Sequence, residues 1–201
     1  MKNCILAGVG GQGTVLASKL IAQTAMEAGK FARTAETIGM AQRGGSVVSH
    51  VRIGQTAEDV SSPMLPLGSA DLLIGFEPAE AVRTLPYLKK GGAAVVSVKG
   101  VQPVTATLSG KSYDVSAMLS YLREQVSNLV EVDTEAICEA CGSSKVANVA
   151  LLGAAAACGA LGLTVEVVEA ALERRLPAKF LDMNRKALAK GAEAYQGGNQ
   201  K

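Results

Sequence analysis

The chain predicts an α/β fold in three layers: a mostly parallel, mixed sheet with helices on both faces and a C-terminal helical segment. Three observations carry that expectation. A short apolar run, Cys4 to Ala7, leads into the glycine-rich turn Gly8-Val-Gly-Gly-Gln-Gly13, and a helical pattern follows at once. Strand-like and helix-like segments then alternate clearly through the first third, and the middle breaks that simple alternation. The last third reads as helix. With 201 residues, 48% of them apolar, the chain can bury a substantial single core. Aromatics are only 3% and tryptophan is absent, so that core must come from Ala, Val, Leu and Ile, which suits helices packed closely on a sheet.

Asn3–Ala7 reads as a buried strand. Thr14–Ala28 reads as a helix, with Leu16, Ala17, Leu20, Ile21, Thr24, Ala25 and Ala28 on one stripe and Lys19, Gln23 and Glu27 opposite. Gly29 stops it, because glycine tolerates positive φ. Phe31–Ala35 is a second strand, and the short connections predict a right-handed, parallel βαβ unit. Ser46–Ile53 has the β-branched content of a strand, whereas residues 55–69 have no period and read as irregular. Asp71–Gly75 is another strand. Pro78 fits a first helical turn, with the helix running to about Leu88 and Gly91-Gly92 ending it.

Ala93–Val98 is a strand and Pro103–Leu108 an edge piece. Val115–Arg123 is a helix with Asp114 or Ser116 near its cap, Leu129–Val132 a strand, and Asp133 or Thr134 caps a helix to Cys141. Three helices follow: Val146–Leu161, Val165–Leu176 and Ala178–Tyr195. The domain therefore spans residues 1–195, with 196–201 as a disordered tail.

Composition removes several functional classes. A formal charge of +2, without a basic cluster interleaved with aromatics, gives no footprint for nucleic acid. No signal peptide is visible, and cysteines at 4, 138, 141 and 158 suggest no disulfide framework, so a reduced, cytoplasmic setting is expected. Val146–Leu163 is apolar except for Asn148, but its alanines and glycines transfer weakly to lipid. It reads as a buried helix that lets neighbours approach closely, not as a membrane span.

The turn at Gly8, Gly10 and Gly13 follows a strand and opens a helix, as in a Rossmann-like domain. Glycine there allows a tight turn and close approach of a pyrophosphate to the helix N-terminus. The same glycines also fit a purely architectural role. A nicotinamide site would add an acidic residue closing the second strand, and Glu36 stands near that place. Where a crossover helix should begin, however, the chain continues Thr-Ile-Gly-Met-Ala-Gln-Arg-Gly-Gly-Ser46. That segment weakens the dinucleotide reading.

His50, the only histidine, reads as a satisfied polar residue more readily than as an acid–base group. Glu77 either points a carboxylate from a strand end or favours the first turn after it. Cys138-Glu-Ala-Cys141 falls at a predicted helix end, the wrong pole for lowering a thiolate pKa, and has no second pair to complete a zinc site. No catalytic residue and no metal ligand is assigned.

Gly8–Gly13, Glu36–Ser46 with Ser49-His-Val-Arg52, and Ala70-Asp-Leu-Leu-Ile-Gly-Phe-Glu-Pro-Ala-Glu80 occur in this order. This succession resembles the gamma-type subunit of the 2-oxoacid:ferredoxin oxidoreductases over residues 1 to about 195. The stand-alone length most resembles the beta subunit of the indolepyruvate branch. The resemblance implies conversion of an aryl pyruvate, coenzyme A and oxidised ferredoxin into an aryl-acetyl-coenzyme A, carbon dioxide and reduced ferredoxin. Thiamine diphosphate and iron–sulfur clusters would belong to a larger partner subunit, ferredoxin would be reached through the complex, and this chain would hold no tightly bound cofactor. A ferredoxin-type cluster needs four suitably spaced thiolates, which these cysteines do not offer.

The binding residues expected on this reading are Gly8, Gly10, Gly11, Gln12, Gly13, Gln42, Arg43, Gly44, Gly45 and Ser46. Backbone amides around Gly10–Gly13 and Gly44–Ser46 would form a concave anion site, with Arg43 making a forked phosphate contact and Gln42 neutral hydrogen bonds. Two roles fit these loops: holding the phosphate-bearing part of coenzyme A, or forming the subunit interface with Arg43 paired to a partner carboxylate. A gamma subunit for pyruvate, 2-oxoisovalerate or 2-oxoglutarate, an independent dinucleotide-dependent dehydrogenase, and a non-catalytic interaction protein are the alternatives.

Overall fold

The computed structural model describes residues 1–39, 44–102 and 113–198. Six strands form one sheet in the order β2-β3-β1-β4-β5-β6: β1 is Lys2–Val9, β2 Phe31–Ile38, β3 Ser46–Gly54, β4 Ala70–Gly75, β5 Leu88–Ser97 and β6 Asn128–Val132. β1, β4, β5 and β6 run parallel, while β3 is antiparallel to both β1 and β2. Among the described residues there are seven α-helices: α1 Thr14–Glu27, α2 Pro78–Thr84, α3 Val115–Gln125, α4 Thr134–Cys141, α5 Ala147–Cys158, α6 Val165–Glu173 and α7 Ala178–Gly198.

The sheet buries both faces, and its period of two divides the core. Cys4, Leu6, Leu72, Ile74 and Val95 face a large cluster with α1, α5 and α6. Ile5, Leu73, Ala94 and Val96 face the other way, against Ala81 of α2 and Leu119 and Leu122 of α3. The predicted three layers are present. Caps fix several helix starts: Glu77, Asp114, Asp133 and Thr164 accept from the backbone amides of Glu80, Ala117, Ala136 and Val167. Each such cap contributes about 1 kcal/mol. At the end of α1, Gly29 (φ 74°) donates to Met26 O and Lys30 to Ala25 O, the paired bonds of a Schellman ending.

The fold departs from the sequence reading chiefly in four places. β1 and β2 are not neighbours, because β3 lies between them. The 39–45 connection is too short for a crossover helix, so β2 returns as an antiparallel partner of β3, closed by Gly39 N donating to Ser46 O at 2.7 Å. α2 stops at Thr84 and a 3-10 turn, Leu85–Tyr87, follows, since Pro86 has no amide proton and disfavours helix in the residue before it. β5 then starts at Leu88 and absorbs Gly91 (φ 75°) and Gly92 within the strand, where its register against β4 shifts. Finally, α7 continues through Gly198, so three residues of the expected tail are helical. The expected edge piece Pro103–Leu108 lies outside the described residues.

The apolar segment from Val146 gives a twelve-residue helix, α5, whose residues Asn148–Ala156 are all buried. Among the described residues no helix is long and apolar enough to cross a membrane. What covers α5 is α7, at unusually close range. A Cβ on Gly153 would overlap the Leu188 carbonyl oxygen, and one on Gly191 would overlap the Ala150 carbonyl oxygen. The two backbones touch at reciprocal glycines, leaving no room for a methyl group. Gly153→Ala and Gly191→Ala should therefore each destabilise by about 3 kcal/mol, the upper part of the overpacking range. Thermal unfolding should show a drop of about 6–12 °C, and a drop within 1–2 °C of wild type would contradict the crossing.

Candidate functional site

The chain leaves β1 toward one side of the sheet and β4 toward the other, which makes the β1/β4 boundary the switch point of this sheet. The Gly8–Gly13 loop sits at the carboxyl end of β1, beside the end of β4. Gly11 (φ 99°) and Gly13 (φ 85°) take left-handed conformations that side chains avoid. Gly8 has no room for a side chain, because a Cβ there would lie within 2.7–2.9 Å of Gln12 Oε1, Phe76 Cβ and Thr14 Oγ1. Gln12 holds the turn from inside. Its Oε1 accepts from Val9 N at 2.8 Å and its Nε2 donates to Phe76 O at 3.1 Å, joining the ends of β1 and β4.

The second glycine-rich segment meets the first. Gly10 N donates to Gly45 O at 2.8 Å, and Ser46 Oγ donates to Glu80 Oε2 at 2.7 Å. Gly44 is left-handed, with φ 72°. Gln42 and Arg43 lie outside the described residues. The ten expected residues thus divide by position. Gly11, Gln12 and Gly13 line a cleft of ≈ 680 Å³, whereas Gly8, Gly10, Gly44, Gly45 and Ser46 are not in its lining and brace the loop from the β3 side.

The far wall of this cleft comes from the ends of β5 and β6 and from the turn before α5, including Ser97, Lys99, Thr134, Lys145 and Asn148. Ser97 and Thr134 hydroxyls bond each other at 2.7 Å, and Lys99 pairs with Glu135. Because Gly10 N and Gln12 N are engaged within the loops, the donors left for a ligand are those of the α1 first turn. Ala17 N is bonded to Gly13 O at 2.9 Å, so the amides preceding it have no intrahelical carbonyl. The α1 dipole adds partial positive charge there. Gly13 brings this turn against Asn148, whose Nδ2 would lie 3.0 Å from a Cβ on residue 13. Thr14 Oγ1 is buried beneath the same turn with no hydrogen-bond partner.

Sequence patterning gave no signal for Ser97, Lys99, Thr134 or Lys145, which reach the cleft only through the strand order. Asn148 was visible as the polar residue in an apolar run.

Other conspicuous residues are structural. Glu36 accepts from Ser18 Oγ at 3.3 Å, and β3 separates its strand from β1, so no acidic residue ends a strand next to the glycine turn on that side. The arrangement of a nicotinamide ribose site is not formed. His50 is buried; its Nδ1 accepts from Leu65 N at 3.2 Å and its ring meets Tyr87 edge-on at 5.4 Å. Burial holds its pKa below the usual value, so it is a neutral anchor for the irregular 55–69 segment. Cys138 and Cys141 stand at the end of α4, and burial raises the Cys138 thiol above its ordinary value. Among the described residues no group of three or more His, Cys, Asp or Glu is placed to hold a metal ion.

A doubly wound α/β domain with an amide-lined crevice at its switch point defines the class. The family model for pyruvate ferredoxin/flavodoxin oxidoreductase matches residues 3–194, and the chain belongs to that family. It is 38% identical over 190 residues to the indolepyruvate oxidoreductase subunit IorB of Archaeoglobus fulgidus, covering 94% of this chain and 92% of that protein. Against the subunit of the same name from Pyrococcus horikoshii the identity is 34%, over 96% and 95% of the two chains. In structure it resembles the gamma subunit of a keto/oxoacid ferredoxin oxidoreductase from Geobacter sulfurreducens, with TM-score 0.71, 25% identity and 98% and 99% coverage. A 2-oxoglutarate:ferredoxin oxidoreductase from Magnetococcus marinus, solved with coenzyme A bound, shares the fold at TM-score 0.73 and 18% identity over 98% of this chain and 31% of that one.

Glu77, buried at the start of α2, has a carboxyl pKa pushed up to about 7, chiefly by desolvation. The unfolded chain releases this proton near its usual 4.5 and the folded chain near 7, so stability declines as pH rises between those values. Glu77→Gln retains an acceptor for Glu80 N but has no such proton. Denaturant unfolding across that window should therefore show a shallower decline than wild type, and an equally steep decline would assign the effect elsewhere.

Proposed function

We propose that the chain is the non-thiamine subunit of a 2-oxoacid:ferredoxin oxidoreductase acting on indolepyruvate and related aryl pyruvates. In this reading it binds and positions coenzyme A while a larger subunit performs the redox step. The observation that carries the binding role is the first turn of α1: its amides have no carbonyl of their own helix, Gln12 braces the loop before it, and Gly13 and Leu16 line a cleft at the switch point. A phosphate of coenzyme A is the anion in this reaction that suits such amides. Holding it there while the thiol reaches toward the partner is catalysis by placement.

An iron–sulfur cluster of the ferredoxin type does not fit this chain, and we place it, with thiamine diphosphate, on the larger subunit. Cys4 lies inside β1, Cys138 and Cys141 at the end of α4, and Cys158 at the end of α5, and no three of these thiols come together. The relatives named as indolepyruvate oxidoreductase subunits support the substrate class, because they match along nearly their whole length. We assign the complex to the cytoplasm, in keeping with unpaired cysteines and a ferredoxin acceptor.

Arg43 separates ligand binding from subunit docking. In the assembled complex, Arg43→Ala should raise KM for coenzyme A about tenfold with kcat retained, equivalent to about 1.4 kcal/mol, as expected for one charge-assisted contact. An unchanged KM would remove the phosphate role of Arg43. Failure of the complex to assemble would instead give that arginine to the interface. The isolated chain should show no turnover of any 2-oxoacid, and turnover by it alone would overturn the division of labour.

A further inference from the structure

The segment that opens α2 touches both glycine-rich segments. Phe76 O receives the Gln12 side-chain amide, Phe76 N donates to Ala7 O at 2.7 Å, and the Phe76 Cβ packs where a side chain on Gly8 would stand. Four residues later, Glu80 is 5% exposed although it is a carboxylate. Its Oε2 accepts the Ser46 hydroxyl at 2.7 Å, its Oε1 pairs with Arg83, and its own amide donates to Glu77 Oε2 at 3.0 Å. Ser46 is the first residue of β3, directly after Gly44-Gly45, and Gly45 O in turn receives Gly10 N.

We propose that Glu80 is a positioning residue: bonded to Ser46, it fixes where the second glycine-rich segment meets the first and so sets the shape of the coenzyme A cradle. The inference rests on the binding role proposed above. Two features favour this over a merely stabilising contact. A nearly buried carboxylate is costly unless fully partnered, and an apolar residue at that place in α2 would serve the fold as well. One of its two side-chain partners is also the hydroxyl next to the glycine segment, a group outside its own helix. Arg83, which is more than half exposed, pairs with the carboxylate from the same helix. The contact then acts at one remove. Glu80 does not line the cleft, so its loss should change how well coenzyme A is held without touching the reacting atoms.

The test uses the assembled complex, with Ser46→Ala, Glu80→Leu, the double variant and Ser46→Thr, which keeps a hydroxyl on a residue suited to a strand. Each single variant should raise KM for coenzyme A about three- to tenfold, with kcat and KM for the 2-oxoacid within twofold of wild type. The double variant should be no worse than the poorer single variant, because both remove one interaction. Ser46→Thr should restore most of the affinity. Variants that lower the melting temperature or the yield of complex while leaving KM for coenzyme A unchanged would overturn the proposal, as would fully additive effects. Arg43→Ala measured alongside distinguishes the two levels. If it shifts KM and the Ser46 and Glu80 variants do not, only the positioning role fails; if no variant shifts KM, the binding role of these loops fails with it.

Discussion

The Gln12 side chain is the constraint on which the site depends. A primary amide has one acceptor and two donor hydrogens, and here the acceptor takes Val9 N while a donor reaches Phe76 O. One planar group therefore joins the end of β1 to the residue after β4, across the place where the sheet changes direction. Gly8 must lack a side chain for Gln12 to lie there, and Gly13 must be left-handed for the chain to turn into α1. The result is a first helical turn presented toward the cleft with its amides unbonded to carbonyls of its own helix. Replacing Gln12 by Glu would keep the acceptor and lose the donor, setting a carboxylate against the Phe76 carbonyl.

The rest of the fold supplies rigidity to that turn from two sides. On one, the packing of α5 against α7 through Gly153 and Gly191 is so close that it fixes the position of the α5 N-terminus, and hence of Asn148 beside Gly13. On the other, α2 connects to β3 through Glu80 and Ser46 and to β1 through Phe76. His50 and its contact with Leu65 N hold the irregular 55–69 segment over the layer that contains α2 and α3. In the proposed role, this rigidity serves to orient an anion at the first turn of α1.

Much of this was legible in the residues. Apolar strands with helix-stopping glycines gave β1, α1, β4 and β6 nearly to the residue, because both signals are local. The parallel core followed from alternation. What escaped was long-range. Nothing in the sequence of β2 says that β3 will insert beside β1; that follows from the shortness of the 39–45 connection, which forbids a crossover. Gln12 looked like a ligand-binding amide, but its partner Phe76 is far away in sequence and its role is internal. Glu80 entered only as the end of a family-like segment and Gly191 carried no signal, for the same reason: their roles are contacts with other elements. Gly44, Gly45 and Ser46, expected to share an anion site with the first glycine turn, meet that turn through Gly45 O and Gly10 N but do not line the cleft.

The most direct test of the account is a structure of the assembled two-subunit complex with coenzyme A bound. The expected result has a phosphate of coenzyme A within hydrogen-bond distance of the amides of Gly13 to Leu16, the thiol pointing out of the cleft toward the larger subunit, and the Gln12 bridge intact. A structure in which the larger subunit alone holds coenzyme A, with its own polypeptide filling the cleft at α1, would contradict it.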